Sequence, residues 1–145
     1  MRERRLGPSS KYYDKIRTLP LSVDVCWAWK EDEQQWLEGT ELELVSRRKL
    51  GRMRREYQEA VEPLGEGWTF DTYLHACATS ISHANPWFGV SMVSFVDMGN
   101  HDDEPDVEFR QKGKQVVGTA VKSIRPGKEI YQSYGDLGVA DLIYR

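Results

Sequence analysis

Cysteine and histidine are scarce in this chain of 145 residues, which contains two cysteines and three histidines. Cys26 and Cys77 are too few for a disulfide framework or for a zinc site built from cysteines. His75, His83 and His101 are widely separated and form no compact metal-binding pattern with the cysteines. We therefore expect no bound metal, and we expect both thiols to be reduced and packed in the interior.

Long apolar runs and a strong charge of one sign are also absent. No stretch reaches the roughly 20 apolar residues that span a bilayer, and no apolar run of the kind found in signal peptides follows residues 1–5. The formal net charge of -3 exerts no general attraction for nucleic acids or anionic membranes. We expect a soluble monomer that binds neither nucleic acids nor membranes. We expect it inside the cell, in the cytoplasm or nucleus, with a plastid as the alternative.

One local exception to the balanced charge is a basic run in a predicted helix. It consists of Arg47, Arg48, Lys49, Arg52, Arg54 and Arg55. Glutamates flank this run, and no aromatic residues alternate with it as they do in single-strand binding platforms. We interpret the run as a solvated helix face and keep a nucleic-acid-binding module as the weakest alternative.

The first half of the chain is predicted to be helical. Apolar residues recur at intervals of three and four between positions 50 and 61, which predicts one buried helix face. A second helix is predicted over 70–83, with Thr69 as its N-cap. Short helical turns are expected over 27–37, whereas residues 1–22 lack a clear period and carry signals of turns or extended chain.

The second half is predicted to be rich in β-structure. The apolar, β-branched segment 90–96 predicts a buried strand. Segments 107–111 and 115–123 predict a hairpin, and a short strand is expected at 130–131 after a Pro-Gly turn. Helices followed by strands indicate an α+β protein and argue against the alternating units of a Rossmann sheet.

Two segments carry polar residues where simple structure does not need them. In the first, 95–101, the predicted strand runs straight into Asn100-His101, and the second, 124–136, contains Tyr134-Gly135. Together they resemble the Asn-His and Tyr-Gly signatures of the SET domain, in the family's order and separation. Upstream, residues 7–13 and 36–40 resemble the helical insert of the SET subclass typified by Rubisco large-subunit lysine methyltransferase and actin-histidine methyltransferase.

The resemblance implies a SET fold in which the two signature segments cross in a knot-like arrangement. It implies a helical insert over 1–85 and a C-terminal SET core over 86–145. The implied activity is methyl transfer from S-adenosylmethionine to a side-chain nitrogen of another protein, by default a lysine of a non-histone protein.

The resemblance also implies roles for individual residues. Asn100 would hydrogen-bond the amino-acid end of S-adenosylmethionine, and His101 would contact the adenine, largely through its backbone. Asp97 would brace the turn before them. Tyr134 would sit where methyl transfer occurs and would line the cofactor site, and Tyr131 would contribute to the substrate pocket.

Two positions depart from the usual lysine-methylating pattern. His83 stands where the family normally has an arginine that contacts the cofactor, so we expect His83, like Asp97, among the cofactor-binding residues. Asn85 would lie in the substrate pocket, where an asparagine resembles the actin-histidine enzyme and supports protein-histidine methylation as an alternative. Asn85-Pro86 is also a common turn pair, so a structural role stays open.

Further departures concern the extent of the family pattern. The sequence opens at what resembles the insert, after the Gly-rich segment that wraps the cofactor in this subclass, and Gly138-Val139 replaces the usual Ser-Asn. We therefore expect a fragment whose activity alone is in question. A SET remnant without activity that binds a protein partner is the alternative.

Overall fold

The structure is a computed structural model that describes residues 1–144. These residues form two compact units. The first unit comprises residues 1–82 and the C-terminal segment 139–144, and the second unit comprises residues 83–138. The division of the family domain at residue 85 stays a prediction.

The first unit is helical. Its α-helices are Arg2–Leu6 (α1), Tyr13–Thr18 (α2), Glu31–Gln34 (α3), Glu41–Ala60 (α4), Phe70–Ser82 (α5) and Val139–Tyr144 (α6). Its 3-10 turns are Gly7–Ser9, Cys26–Ala28, Gln35–Leu37 and Glu62–Leu64. The helices predicted over 50–61 and 70–83 are confirmed as α4 and α5. No helix within residues 1–144 is long and apolar enough to cross a membrane.

Helix α4 separates an apolar face from a charged one, as its periodicity predicts. Met53 is buried, whereas the arginines of the basic run are exposed. Arg47 pairs with Glu43 at 3.0 Å and Arg52 pairs with Glu56 at 3.2 Å, both one helical turn apart. These pairs support the interpretation of the basic run as a solvated face.

Trp27 lies at the centre of the core of the first unit. Its side chain is fully buried, and its indole N–H donates to the carbonyl oxygen of Tyr144 at 2.9 Å. The buried residues packed with it are Val25, Cys26, Leu37, Met53 and Ala78. Both cysteines are free: Cys26 is buried in this core and Cys77 is half-buried at its edge. The core therefore joins the segment before α3 to helices α4, α5 and α6.

The second unit is built around an antiparallel hairpin. Strand β1 (Val107–Lys112) pairs with β2 (Gln115–Ala120), with Val107 opposite Ala120 and Lys112 opposite Gln115. A Cβ atom on Gly118 would lie 2.7 Å from the ring of Phe109, so only glycine fits opposite that ring. The predicted hairpin is confirmed, and with the helices of the first unit it confirms the α+β class.

The strand predicted over 90–96 is wrong. The backbone of Asn85 pairs with that of Ser91, which closes a loop, and Phe95 adopts a left-handed φ of 76°. The chain therefore turns twice where a strand would have to stay extended. Val90 and Phe95 are 87% and 83% exposed, so apolar composition alone did not indicate burial here.

Two other segments differ from the sequence prediction. Residues 1–22 contain the short helices α1 and α2, which are too brief to produce a visible period. Residues 130–131 form no strand, and the pairing falls one residue later: Gln132 makes single parallel bridges to His101 and Val107. This displacement matters, because the bridge to His101 brings the two signature segments together.

Candidate functional site

A short 3-10 turn positions the first signature segment. In the turn Val96–Met98 the side chains of Val96 and Asp97 are buried. The turn ends at Gly99, where the backbone becomes extended. His83 packs behind it, with Nδ1 2.8 Å from the carbonyl oxygen of Asp97. Since a carbonyl can only accept, Nδ1 of His83 carries the hydrogen. The buried pair of His83 and Asp97 therefore supports the turn from inside the unit.

The second signature segment runs beside the first in the parallel sense. The backbone N–H of Gln132 donates to the carbonyl oxygen of Asn100 at 2.9 Å, and the N–H of Asp102 donates to that of Gln132 at 3.0 Å. These bonds hold the segments side by side across more than 30 positions of sequence. The Asn-His pair and Tyr134 consequently lie in one region of the second unit.

Tyr134 contacts the first segment at two of its residues. Its backbone N–H donates to Nδ1 of His101 at 3.1 Å, and its hydroxyl donates to the carbonyl oxygen of Gly99 at 2.9 Å. The rings of His101 and Tyr134 are stacked, with centroids 5.2 Å apart and planes inclined by 23°. Partial burial raises the pKa of the Tyr134 hydroxyl, so it stays neutral at physiological pH.

The contact with Tyr134 also sets the tautomer of His101. Because Nδ1 accepts a backbone N–H, the hydrogen of the neutral imidazole lies on Nε2. That nitrogen is 3.3 Å from a carboxylate oxygen of Asp103, a residue of the loop that follows. The ring is therefore held from both nitrogens and from one face.

Asn100 and Tyr131 meet at the carboxylate of Glu129. The Asn100 amide donates to one oxygen of Glu129 at 2.5 Å, and the Tyr131 hydroxyl donates to the other at 3.0 Å. This hydrogen bond with Glu129 raises the pKa of the Tyr131 hydroxyl. Asp106 holds the same segment, because its carboxylate accepts the backbone N–H of Tyr131 at 2.9 Å. Glu129 thus joins one predicted cofactor residue to one predicted substrate residue.

Asn85 lies in the loop closed by Ser91, and its hydrogen bonds hold that loop. Its backbone N–H and carbonyl bond Ser91 at 2.8 and 3.0 Å, and its side-chain amide donates to the carbonyl oxygen of His83 at 3.2 Å. These bonds agree with a turn-forming role. A role in selecting the substrate stays a prediction.

Three residues around the site were missing from the sequence interpretation: Glu129, Gln132 and Asp106. Gln132 carried a usable sequence signal, since it is a polar residue directly after the predicted strand 130–131. The structure shows that it is buried. Glu129 and Asp106 carried none, because carboxylates are common throughout this chain. Only the tertiary structure brings their oxygens to Asn100 and Tyr131.

A comparison with protein families identifies the domain. The model of the SET domain matches residues 11–135, which include every predicted site residue. The chain belongs to the SET-domain family.

One similar protein is the actin-histidine N-methyltransferase of Xenopus tropicalis. The two sequences are 23% identical over an alignment of 158 positions, gaps included, which covers 96% of this chain. The chain spans about 27% of the length of that relative.

Proposed function

We propose that this chain acts in S-adenosylmethionine-dependent protein N-methylation, with a lysine of a non-histone protein as the acceptor. The observation that carries the proposal is the direct contact of Tyr134 with Gly99 and His101, beside Asn100, in a member of the SET family. Three of the residues that the family resemblance assigns to cofactor binding and methyl transfer, Asn100, His101 and Tyr134, are therefore neighbours, which supports the proposal.

The acceptor groups around Asn100 suit the positively charged ammonium at the amino-acid end of S-adenosylmethionine. The amide nitrogen of Asn100 is held by Glu129, so its amide oxygen faces elsewhere and can accept from an ammonium group. The carboxylate of Glu129 adds a negative charge, which attracts the positive ammonium. The cofactor itself supplies an electrophilic methyl group on a positively charged sulfur.

The contribution of the protein is to hold and orient the reacting groups. Methyl transfer is an in-line displacement, so its rate depends on the alignment of nitrogen, methyl carbon and sulfur. The neutral hydroxyl of Tyr134 orients the acceptor or the methyl group without removing a proton. A lysine acceptor must be neutral, and a partly desolvated aromatic surface beside the sulfonium charge lowers the pKa of its ammonium.

Histidine is the second candidate acceptor. The similar protein is named as an actin-histidine N-methyltransferase, and Asn85 resembles the pocket residue of that class. An amide can donate to one imidazole nitrogen and so direct the other toward the methyl group. The hydrogen bonds of Asn85 to its own loop favour the structural role, so lysine stays first.

Two measurements on the 145-residue chain test the proposal. Titration calorimetry measures binding of S-adenosylmethionine, and mass spectrometry of peptide arrays treated with labelled cofactor identifies the methylated residue. Binding together with labelled lysine supports the proposal, and labelled histidine supports the second candidate. Binding without transfer supports a SET remnant without activity. Absence of both contradicts the proposed function.

A further inference from the structure

We infer that Gln132 is a positioning residue that couples the Asn-His segment to Tyr134. Its side chain is 7% exposed, and its amide nitrogen donates to two carbonyl oxygens, Val96 at 2.8 Å and Gly99 at 2.9 Å. Both N–H groups of one amide are therefore used to hold the turn that leads into Asn100. The expected effect of Gln132 on methyl transfer rests on the proposed function, whereas the hydrogen-bonded coupling between the two segments does not.

The backbone of Gln132 holds the same segment from its other end. Its N–H donates to the carbonyl oxygen of Asn100, and its carbonyl accepts the N–H of Asp102. One residue thus makes four hydrogen bonds that begin before Asn100 and end after His101. Translation of the Asn-His pair relative to the second segment would break several of these bonds together.

The carbonyl oxygen of Gly99 links Gln132 to the hydroxyl of Tyr134. This oxygen accepts both the Gln132 amide at 2.9 Å and the Tyr134 hydroxyl at 2.9 Å, one for each of its lone pairs. Gln132 therefore fixes the acceptor that determines where the tyrosine hydroxyl points. Tyr134 is the residue proposed to touch the reacting groups, and Gln132 acts through it.

Gly99 permits this arrangement because it has no side chain. A Cβ atom at this position would lie 3.0 Å from the amide nitrogen of Gln132 and 3.3 and 3.4 Å from its Cδ and Cγ atoms. The buried amide cannot move away without losing its bonds to Val96 and Gly99. Gly99→Ala should therefore disturb the same coupling from the opposite side.

Gln132→Met tests the inference, because methionine has a similar volume and no donor. The matched control is Gln111→Met on β1, since the exposed amide of Gln111 bonds only groups outside the two signature segments: it donates to the carbonyl of Gly113 at 3.1 Å and accepts the backbone N–H of Phe88 at 3.2 Å. Measurements are made at a temperature at which each variant is folded, as judged by circular dichroism. Nitrogen-15 shifts of the His101 ring report the bond from the Tyr134 N–H, and hydrogen exchange reports the Tyr134 amide.

In Gln132→Met we expect the Nδ1 shift of His101 to move and the Tyr134 amide to exchange roughly tenfold faster, as expected for loss of supporting hydrogen bonds. Gly99→Ala should change the His101 shift and the Tyr134 exchange rate in the same direction. In Gln111→Met both quantities should equal those of the parent chain. If His101 and Tyr134 behave as in the parent chain in both Gln132→Met and Gly99→Ala, the inference is wrong.

A second readout separates positioning from general stability. For a chain that transfers methyl groups, Gln132→Met should lower kcat roughly tenfold, with a smaller rise in KM for the acceptor peptide. Unchanged kcat in the folded variant contradicts the positioning role. A parent chain that fails to bind S-adenosylmethionine contradicts the proposed function alone, because the magnetic-resonance measurements still decide the coupling.

Discussion

His101 and Tyr134 hold each other through two different contacts. Their rings stack with centroids 5.2 Å apart, and the backbone N–H of Tyr134 donates to Nδ1 of His101 at 3.1 Å. The two residues are 33 positions apart, so the contact exists only because the segments around Asn100 and Gln132 pair. The contact also makes the tautomer of His101 depend on the position of the Tyr134 backbone.

Tyr134→Phe should lower methyl transfer more than it lowers cofactor binding. The hydroxyl that orients the reacting groups is lost, which costs about 1–3 kcal/mol in the transition state. Stability should change by less than about 1 kcal/mol, because the Gly99 carbonyl keeps its bond from Gln132. Steady-state kinetics and calorimetry measure the two effects, with Tyr12→Phe on the exposed surface of the first unit as the control. An unchanged turnover rate would remove Tyr134 from the mechanism.

His101→Phe should loosen Tyr134 while preserving the ring contact. Phenylalanine can stack on the tyrosine but cannot accept its backbone N–H, so we expect a loss of about 1 kcal/mol of local stability. Hydrogen exchange at the Tyr134 amide measures this loss, and His101→Asn, which offers an acceptor without the aromatic ring, gives the complementary comparison. Equal protection of this amide in the parent chain and in His101→Phe would contradict the hydrogen bond to Nδ1.

Asp106 should make the stability of the second unit sensitive to acid. The backbone N–H of Tyr131 lowers the pKa of the Asp106 carboxyl from its ordinary value, and Lys122, at 3.2 Å, acts in the same direction. A carboxyl with a lowered folded-state pKa stabilises the fold above its unfolded value and loses that contribution as the pH falls through the folded value.

Asp106→Asn should therefore destabilise the protein at neutral pH, and the difference from the parent chain should shrink as the pH falls below about 4. Urea unfolding at a series of pH values measures this difference. A constant difference across the acid range would mean that the contribution of Asp106 does not depend on its charge.

Asn85→Phe separates the two candidate acceptors. If Asn85 selects histidine, the variant should lose histidine methylation, because no amide remains to donate to the imidazole. If lysine is the acceptor and Asn85 serves its loop, labelling of lysine should persist, with stability lowered by about 1 kcal/mol for the lost side-chain bond to His83. Mass spectrometry of labelled peptides distinguishes the outcomes. Labelled histidine that survives the change would exclude Asn85 from acceptor selection.

Trp27→Ala should be strongly destabilising for the first unit. Removal of a fully buried tryptophan costs about 3–5 kcal/mol through lost packing and the cavity that remains, and here the Tyr144 carbonyl also loses its donor. Trp36→Ala is the matched control, because that indole is 83% exposed and its removal should change stability by only about 0.5 kcal/mol. Denaturant unfolding followed by circular dichroism measures both. Comparable losses in the two variants would show that Trp27 does not anchor the core.

Much of the secondary structure followed from local pattern. Helices α4 and α5 and the hairpin were predictable because spacing, capping and turn residues act within one element. The strand predicted over 90–96 is wrong because an apolar, β-branched segment forms a strand only when a sheet partner and burial are available. Val90 and Phe95 have neither in this structure, and the backbone turns between them.

The sequence by itself determined the α+β class, the family and the identity of Asn100, His101 and Tyr134 as candidates, because each rests on residue types at short spacing. Only the tertiary structure decided how those residues meet. Gln132 reaches Gly99 and Asn100 across more than 30 positions, and Glu129 reaches the Asn100 amide, by hydrogen bonds that leave no periodic trace in the chain. Such contacts depend on the register between distant segments, and that register is set by packing and by the satisfaction of buried polar groups.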